Sequence, residues 1–429
     1  RKFDADGQVT DVVMNFDEFG SIRVASWLRG TLDAAFGKSV ETRGDRRAND
    51  PGDITDVTMT FTGLTPDARA RETVGRIRIA GSARTDDGTT GLSVNVQADG
   101  AGQVEVKENI DLANLDIVGE FSRFRAGDVD TANITAGSTG RDDVTRCVNG
   151  DVAVLSLGWF DSTVNYLENC PGDFVPNVTV NQSGASTERN AVGSANIKGT
   201  LTGTWNVVGV TGATRDSAAG RISADNIGPG FTAVFDGDVG RIDSKENISG
   251  DITANIIDKL SARENATDLT VTVLQPVVPG DDRTEALGSY DVRGTSTNVF
   301  IDSAGHIGSF RTSILIDSTV YAGVVGGAMG LLTSANQFVA AAQIDRLDIR
   351  GDRDAPFAIV NSNFGAMRVG RVSLGVADDD NGGVLFGLAM TAFDSITLDS
   401  DDGRENLRSP EDLASLMLDG DIRFRLVSG

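Results

Sequence analysis

A six-residue phrase recurs along this chain and limits what it can fold into: apolar, two small or polar residues, apolar, polar, then apolar or small. The clearest copies are Ile307-Gly-Ser-Phe310-Arg-Thr312, Ile344-Asp-Arg-Leu347-Asp-Ile349, Phe364-Gly-Ala-Met367-Arg-Val369, Phe393-Asp-Ser-Ile396-Thr-Leu398 and Leu413-Ala-Ser-Leu416-Met-Leu418. Earlier copies start at Phe19, Ile54, Val74 and Leu112, and shorter ones at Val239 and Ile257. The last two apolar positions alternate at period two, which places both side chains on one face of a strand. Gly, Asp or Ser after the first position allows the chain to turn. Starts at 54 and 74, 344 and 364, and 393 and 413 lie about 20 residues apart, a period typical of repeat architectures whose units bury their apolar faces only against neighbours.

The expected fold is therefore all-β: a parallel β-solenoid or β-helix with coils of about 20 residues and loop insertions. Composition agrees. Gly counts 51, Pro only 9, and aromatics are 6% of 429 residues, too few for a thick sandwich core but suited to thin coils closed by glycine turns. Leucine-rich repeats share the spacing, but the regular asparagine and the helical stretches are missing. The best helix candidates are short, Ala25 to Ala35 and Leu331 to Ala342, and both read as decorations of a turn. Residues 1–429 are expected to form a single elongated solenoid. Residues 141–215 break the pattern, holding both cysteines, Trp159, Tyr166 and Trp205, and read as an inserted loop or irregular subdomain.

Charge narrows the function. Asp and Glu outnumber Lys and Arg by 62 to 38, a net charge of −24. Duplex affinity comes from cations that neutralise phosphates, so a polyanion of this kind is not expected to bind nucleic acid. No run of 18 apolar residues is present, so no membrane span is expected. The Cys147–Cys170 pair reads as one disulfide of an exported protein, closing a loop of ~20 residues and worth roughly 3 kcal/mol in the chain-entropy model; two buried thiols are the other reading.

The Ile-Gly-Ser-Phe-Arg and Val-Gly-Arg-Ile units, alternating with Gly-Asp-Ile-Thr-Ala, resemble repeats in large exported proteins of high-GC aquatic bacteria, especially planctomycete-type ones. The resemblance covers most of the chain and is weakest over 127–210. It implies an extracellular or cell-surface β-helix of surface or filament type, and it carries no catalytic residue.

Candidate sites are few. One histidine, His306, stands beside Gly305 without a nucleophile elbow. Acidic runs at Asp378, Asp379 and Asp380, and at Asp399, Asp401 and Asp402, read either as solvated turns or as Ca2+ ligands, since hard cations take carboxylate oxygens. No cofactor is required by any motif. The expected function is that of an extracellular structural protein, not an enzyme, self-associating into a fibre or lattice. The alternatives are an adhesin or glycan-binding stalk, with a cell-surface glycan as partner, and a polysaccharide lyase or glycosidase of β-helix type.

Overall fold

The computed structural model describes residues 2–45, 48–63, 73–86, 88, 90–98, 100–126, 128–129, 131–144, 153–157, 161–169, 173–181, 190–209, 217–277, 285–352, 354–378, 380–400, 403–415 and 420–427. Over these the chain is nearly all β and dominated by parallel pairing. It divides into two compact units, Arg1–Gly220 and Arg221–Gly429, the division falling within the strand Ser217–Ser244.

In the first unit Val9–Val24 and Trp27–Thr42 pair in parallel along their length. Trp27–Thr42 then pairs through its first half with Ile54–Phe61 and through its second with Val74–Ile79. The split continues, because Ile54–Phe61 pairs with Leu92–Val96 and Val74–Ile79 with Ala101–Val106, and both of these meet Ala113–Ala126. Register therefore stacks equivalent side chains. Met14, Leu32, Met59, Val94 and Leu115 form one buried column, and Ile22, Val40, Ile77, Val104 and Phe124 another.

The second unit repeats the scheme. Ile242, Leu260, Tyr290, Phe310, Leu347, Val372 and Ile396 are successive partners in parallel strands, and all are buried. Burying each such aliphatic side chain contributes about 1.5–3 kcal/mol. Tyr290 and Phe310 stack face to face at 4.5 Å. The Tyr290 hydroxyl lies 2.8 Å from Ser296 Oγ, which in turn lies 3.0 Å from Thr312 Oγ1, so the one polar atom of that layer is partnered inside.

Corners are built by residues in the left-handed region. Asp11, Arg29 and Asp56 (φ 50°, 53° and 49°) stack in the first unit; Asp268, Asn298, Asp317 and Asn361 (φ 50°, 54°, 49° and 41°) stack in the second. Apart from glycine, Asn and Asp tolerate this conformation best because their short side chains hydrogen-bond locally. Here they bond along the column: Asn298 Nδ2 donates to Asp268 at 2.6 Å, and Asn361 Nδ2 to Asp317 at 2.7 Å.

Several expectations need correction. Copies of the phrase starting at 54 and 74 lie in different columns of one unit, since Val57 pairs with Leu92 while Ile77 pairs with Val104. The same holds at 344 and 364, where Leu347 pairs with Val372 and Phe364 with Leu388. In these two cases the 20-residue interval separates strands of different columns, whereas Met14 and Leu32, Ile242 and Leu260, and Tyr290 and Phe310, 18 to 20 residues apart, are direct parallel neighbours, so loop length sets the step. Of the copy at Leu413, the described residues Leu413 to Ser415 belong to the α-helix Pro410–Ser415, because Asp412 accepts from the Ser409 N–H at 3.0 Å and Ser409 Oγ accepts from the Asp412 N–H at 3.1 Å; Leu416 to Leu418 lie outside the described residues. Apolar residues three apart suit a helix face as well as a strand. Ala25 to Ala35 is not a helix, for Trp27–Thr42 is a strand turned at Arg29 and Gly30. Within Leu331 to Ala342 the only helical turn is the 3-10 segment Ala335–Gln337, capped by Ser334.

The stretch from 131 to 181 departs from parallel order. Thr131–Val144 pairs antiparallel with Ala153–Leu157 and with Asp161–Asn169, which pairs antiparallel with Asp173–Asn181. Cys147, Cys170 and Trp159 lie outside the described residues.

Candidate anion-binding face

The phrase that fills the core also decides what stands outside it. In the second unit the side chains flanking each core residue point away from the apolar column, and parallel register stacks them at the inter-strand spacing of about 4.8 Å. One outward column runs Arg241, Lys259, Ser289, Ser309, Arg346, Arg371; the next runs Asp243, Ser261, Asp291, Arg311, Asp348, Ser373. Lys245, Arg263, Arg293 and Arg350 follow one step further along their segments.

Carboxylates here lie beneath guanidinium groups. Asp348 is 4% exposed and is gripped by Arg350 at 2.6 Å, Arg346 at 3.1 Å and Arg311 at 3.5 Å. Asp243 is 7% exposed, ion-pairs with Arg241 and with Arg221 at 3.4 Å, and accepts from Ser261 Oγ at 2.6 Å. Each buried carboxylate meets more than one cation, so positive charge is left over at the surface. A charge this buried is tolerated only when paired.

Two shallow depressions share Asp291 and Arg293 and run along this face. One, about 170 Å³, has the cations Arg221, Arg241, Lys245, Lys259, Arg263 and Arg293 against only Asp243 and Asp291; the other, about 420 Å³, adds Arg311 and Arg350 with Asp348. In a chain of net charge −24 this is a local reversal of sign. Arg263 and Arg293 are exposed, and their side chains have no carboxylate partner among the described residues.

The equivalent face of the first unit interleaves its charges, three arginines with two glutamates. Arg23, Glu41, Arg78, Glu105 and Arg125 occupy one outward column in alternating sign. Glu105, 6% exposed, lies 2.9 Å from Arg76, 3.5 Å from Arg78 and 3.9 Å from Arg125. Burial opposes its ionisation, but the Arg76 hydrogen bond and the charges of Arg78, Arg76 and Arg125 outweigh it and hold the carboxyl below its ordinary range.

The acidic runs are placed otherwise. Asp378 accepts from the Asp380 N–H at 3.2 Å and Asp380 from the Gly382 N–H at 3.4 Å, so both carboxylates serve their own loop. Asp399 makes a two-pronged pair with Arg404, at 2.7 and 3.1 Å, which holds it below the usual carboxylate range. Asp379, Asp401 and Asp402 lie outside the described residues. Among the described residues no group of three or more ligand-type side chains is placed to hold a metal ion. His306 opens the strand His306–Thr312, buried, with Nδ1 accepting from the Gln343 N–H at 3.1 Å. Near it burial pushes Glu285 up, with Asp345 and Asp258 adding to the shift, and burial likewise raises Asp345 against the opposing charges of His306 and Arg368.

Sequence reasoning passed over the basic face. The signal was present as Arg or Lys at the third position of Val239-Gly-Arg-Ile242 and Ile257-Asp-Lys-Leu260 and as Arg263, Arg293 and Arg350 beyond the core strands, but only pairing register shows that they share one face. No protein-family model, curated protein or solved structure matches this chain.

Proposed function

We propose that the chain is a structural β-solenoid displayed outside the cell, and that its copies associate end to end or side by side into a fibre or lattice. The observation that carries this reading is the set of unbroken apolar columns, such as Ile242 through Ile396, running across parallel strands in register. A stack of this kind buries each layer only against the next and makes a stiff element that needs no cofactor and no catalytic group. The resemblance of its repeats to those of exported bacterial proteins supports an extracellular or cell-surface setting.

The strand Gly403–Leu407 turns back antiparallel on Ala392–Ser400 and exposes Arg404, Glu405 and Asn406. A short, charged outer strand discourages pairing with another chain. Negative-stain electron microscopy at low and high salt, with and without Ca2+, tests the proposal. Ordered fibres or sheets are expected, and dispersed particles under every condition would refute self-assembly. The second reading, a glycan-binding stalk, is favoured by the basic face of the second unit.

A further inference from the structure

We infer that the basic face of the second unit is a binding groove for a linear polysaccharide bearing one carboxylate on each sugar. The inference stands apart from self-assembly, since the groove lies within a single unit.

Three features support this occupant. Lys245, Arg263 and Arg293 stand on three adjacent strands, one step past register partners, so cations recur there at about 4.8 Å, comparable to the length of one pyranose in an extended acidic glycan; of the three, Lys245 also pairs with Asp225. Guanidinium is the side chain best shaped to take a carboxylate in two parallel hydrogen bonds. Arg263 and Arg293 are exposed without a carboxylate partner among the described residues, whereas Arg241 and Arg346 are engaged by Asp243 and Asp348. The buried carboxylates therefore fix some guanidinium groups as a rigid floor and leave others open to a ligand. Ser223 and Ser261 line the same groove, where hydroxyl groups suit the sugar's own hydroxyls.

Charge complementarity separates this partner from others. The groove has no aromatic lining on which unstacked bases could lie, as single-stranded nucleic acid requires. A second copy of the chain would have to present an ordered acidic column. The corner column of the second unit alternates Asp268 and Asp317 with the neutral Asn298 and Asn361, which halves its charge density; the exposed group of Asp258, Glu285 and Asp345 is the other acidic candidate, and sedimentation of an Arg263→Gln, Arg293→Gln variant separates a second copy from a glycan.

Affinity electrophoresis of the whole chain through gels containing sodium polygalacturonate tests the proposal, with neutral dextran as control. Retardation by polygalacturonate at low ionic strength is expected, with none by dextran. The double variant Arg263→Gln, Arg293→Gln, whose side chains support no described packing, is expected to bind about tenfold more weakly. The control variant Arg404→Gln, Arg408→Gln, an equal charge change at exposed side chains away from the groove, is expected to bind as the unaltered chain does. Circular dichroism confirms that each variant is folded. Absence of retardation at low salt, or equal retardation of the double variant, would overturn the proposal. So would loss of a self-associated species by the double variant in sedimentation, which would assign the groove to a second copy. Filaments in the microscope without polygalacturonate binding would refute this inference and leave the assembly reading intact.

Discussion

Replacing Glu105 by Gln removes one charge from a side chain that faces three arginines while keeping its shape. At an effective dielectric of about 20, each pair at 3–4 Å is worth roughly 4–5 kcal/mol before desolvation is subtracted. Burial of Glu105 cancels most of that, and the arginines are 36–47% exposed, so water screens what remains. The net loss is then about 1–2 kcal/mol, the range of a few charge-assisted contacts at a half-buried site. Because the sheet is held by neighbour contacts, the loss should appear first as local opening. Hydrogen exchange should quicken roughly 5–30-fold in Ala101–Val106 and in its partners Val74–Ile79 and Ala113–Ala126, with little change in the second unit. The pH dependence carries a definite sign. The folded carboxyl titrates below its ordinary value of 4.5, so its stabilisation is complete above that value and is lost as pH falls through the lowered one. The gap between the original chain and the variant should therefore close in acid. An unchanged exchange rate at neutral pH, or a gap that persists undiminished in strong acid, would refute the reasoning.

Other positions test other parts of the structure. Glu285 has the opposite sign: burial and the charges of Asp345 and Asp258 raise its folded pKa, so its charged form weakens the fold as pH rises through the raised value. Glu285→Gln should raise the thermal midpoint at neutral pH, with the gain fading in acid, as a pH series of melting curves would show. Gly250 has φ +103°, and a Cβ there would lie 2.2 Å from the Phe231 carbonyl oxygen, so Gly250→Ala should cost about 2–4 kcal/mol in urea unfolding. At the corner, Asp268→Asn should be tolerated while Asp268→Ala costs about 1–2 kcal/mol, since Ala has no local hydrogen bond to offset the left-handed backbone. Equal effects of the two substitutions in the same assay would remove the corner column as a cause of the fold.

Much of the β architecture can be read locally. In Ile344-Asp-Arg-Leu347-Asp-Ile349 the period-two alternation alone places Leu347 and Ile349 inward and Arg346 and Asp348 outward, and the three-dimensional arrangement agrees. The Leu413 phrase has similar spacing, yet its first three residues lie in the helix Pro410–Ser415, because Ser409, Pro410 and Asp412 supply a helix start that apolar spacing does not register. The corner residues were readable in part: Asp268 and Asn298 stand just before the buried Leu269 and Val299, whereas Asp317 and Asn361 stand just before the buried serines Ser318 and Ser362, and only residues of this kind hold φ near 50° at low cost.

Alternation and turn chemistry act over a few residues, so the sequence by itself determined that the chain forms short strands with one apolar face, separated by tight corners. Which strand lies beside which depends on how long each intervening loop runs before its pair can close, and the core packing that settles this is written at no single position. Only the tertiary structure decided that Leu347 sits between Phe310 and Val372 and that Phe364 belongs to another column, between Val320 and Leu388. The basic face follows from the same register. Arg241, Lys259, Arg293, Arg311 and Arg350 are scattered through an acidic sequence and become one surface because apolar columns, in seeking burial, carry the outward side chains into line with them.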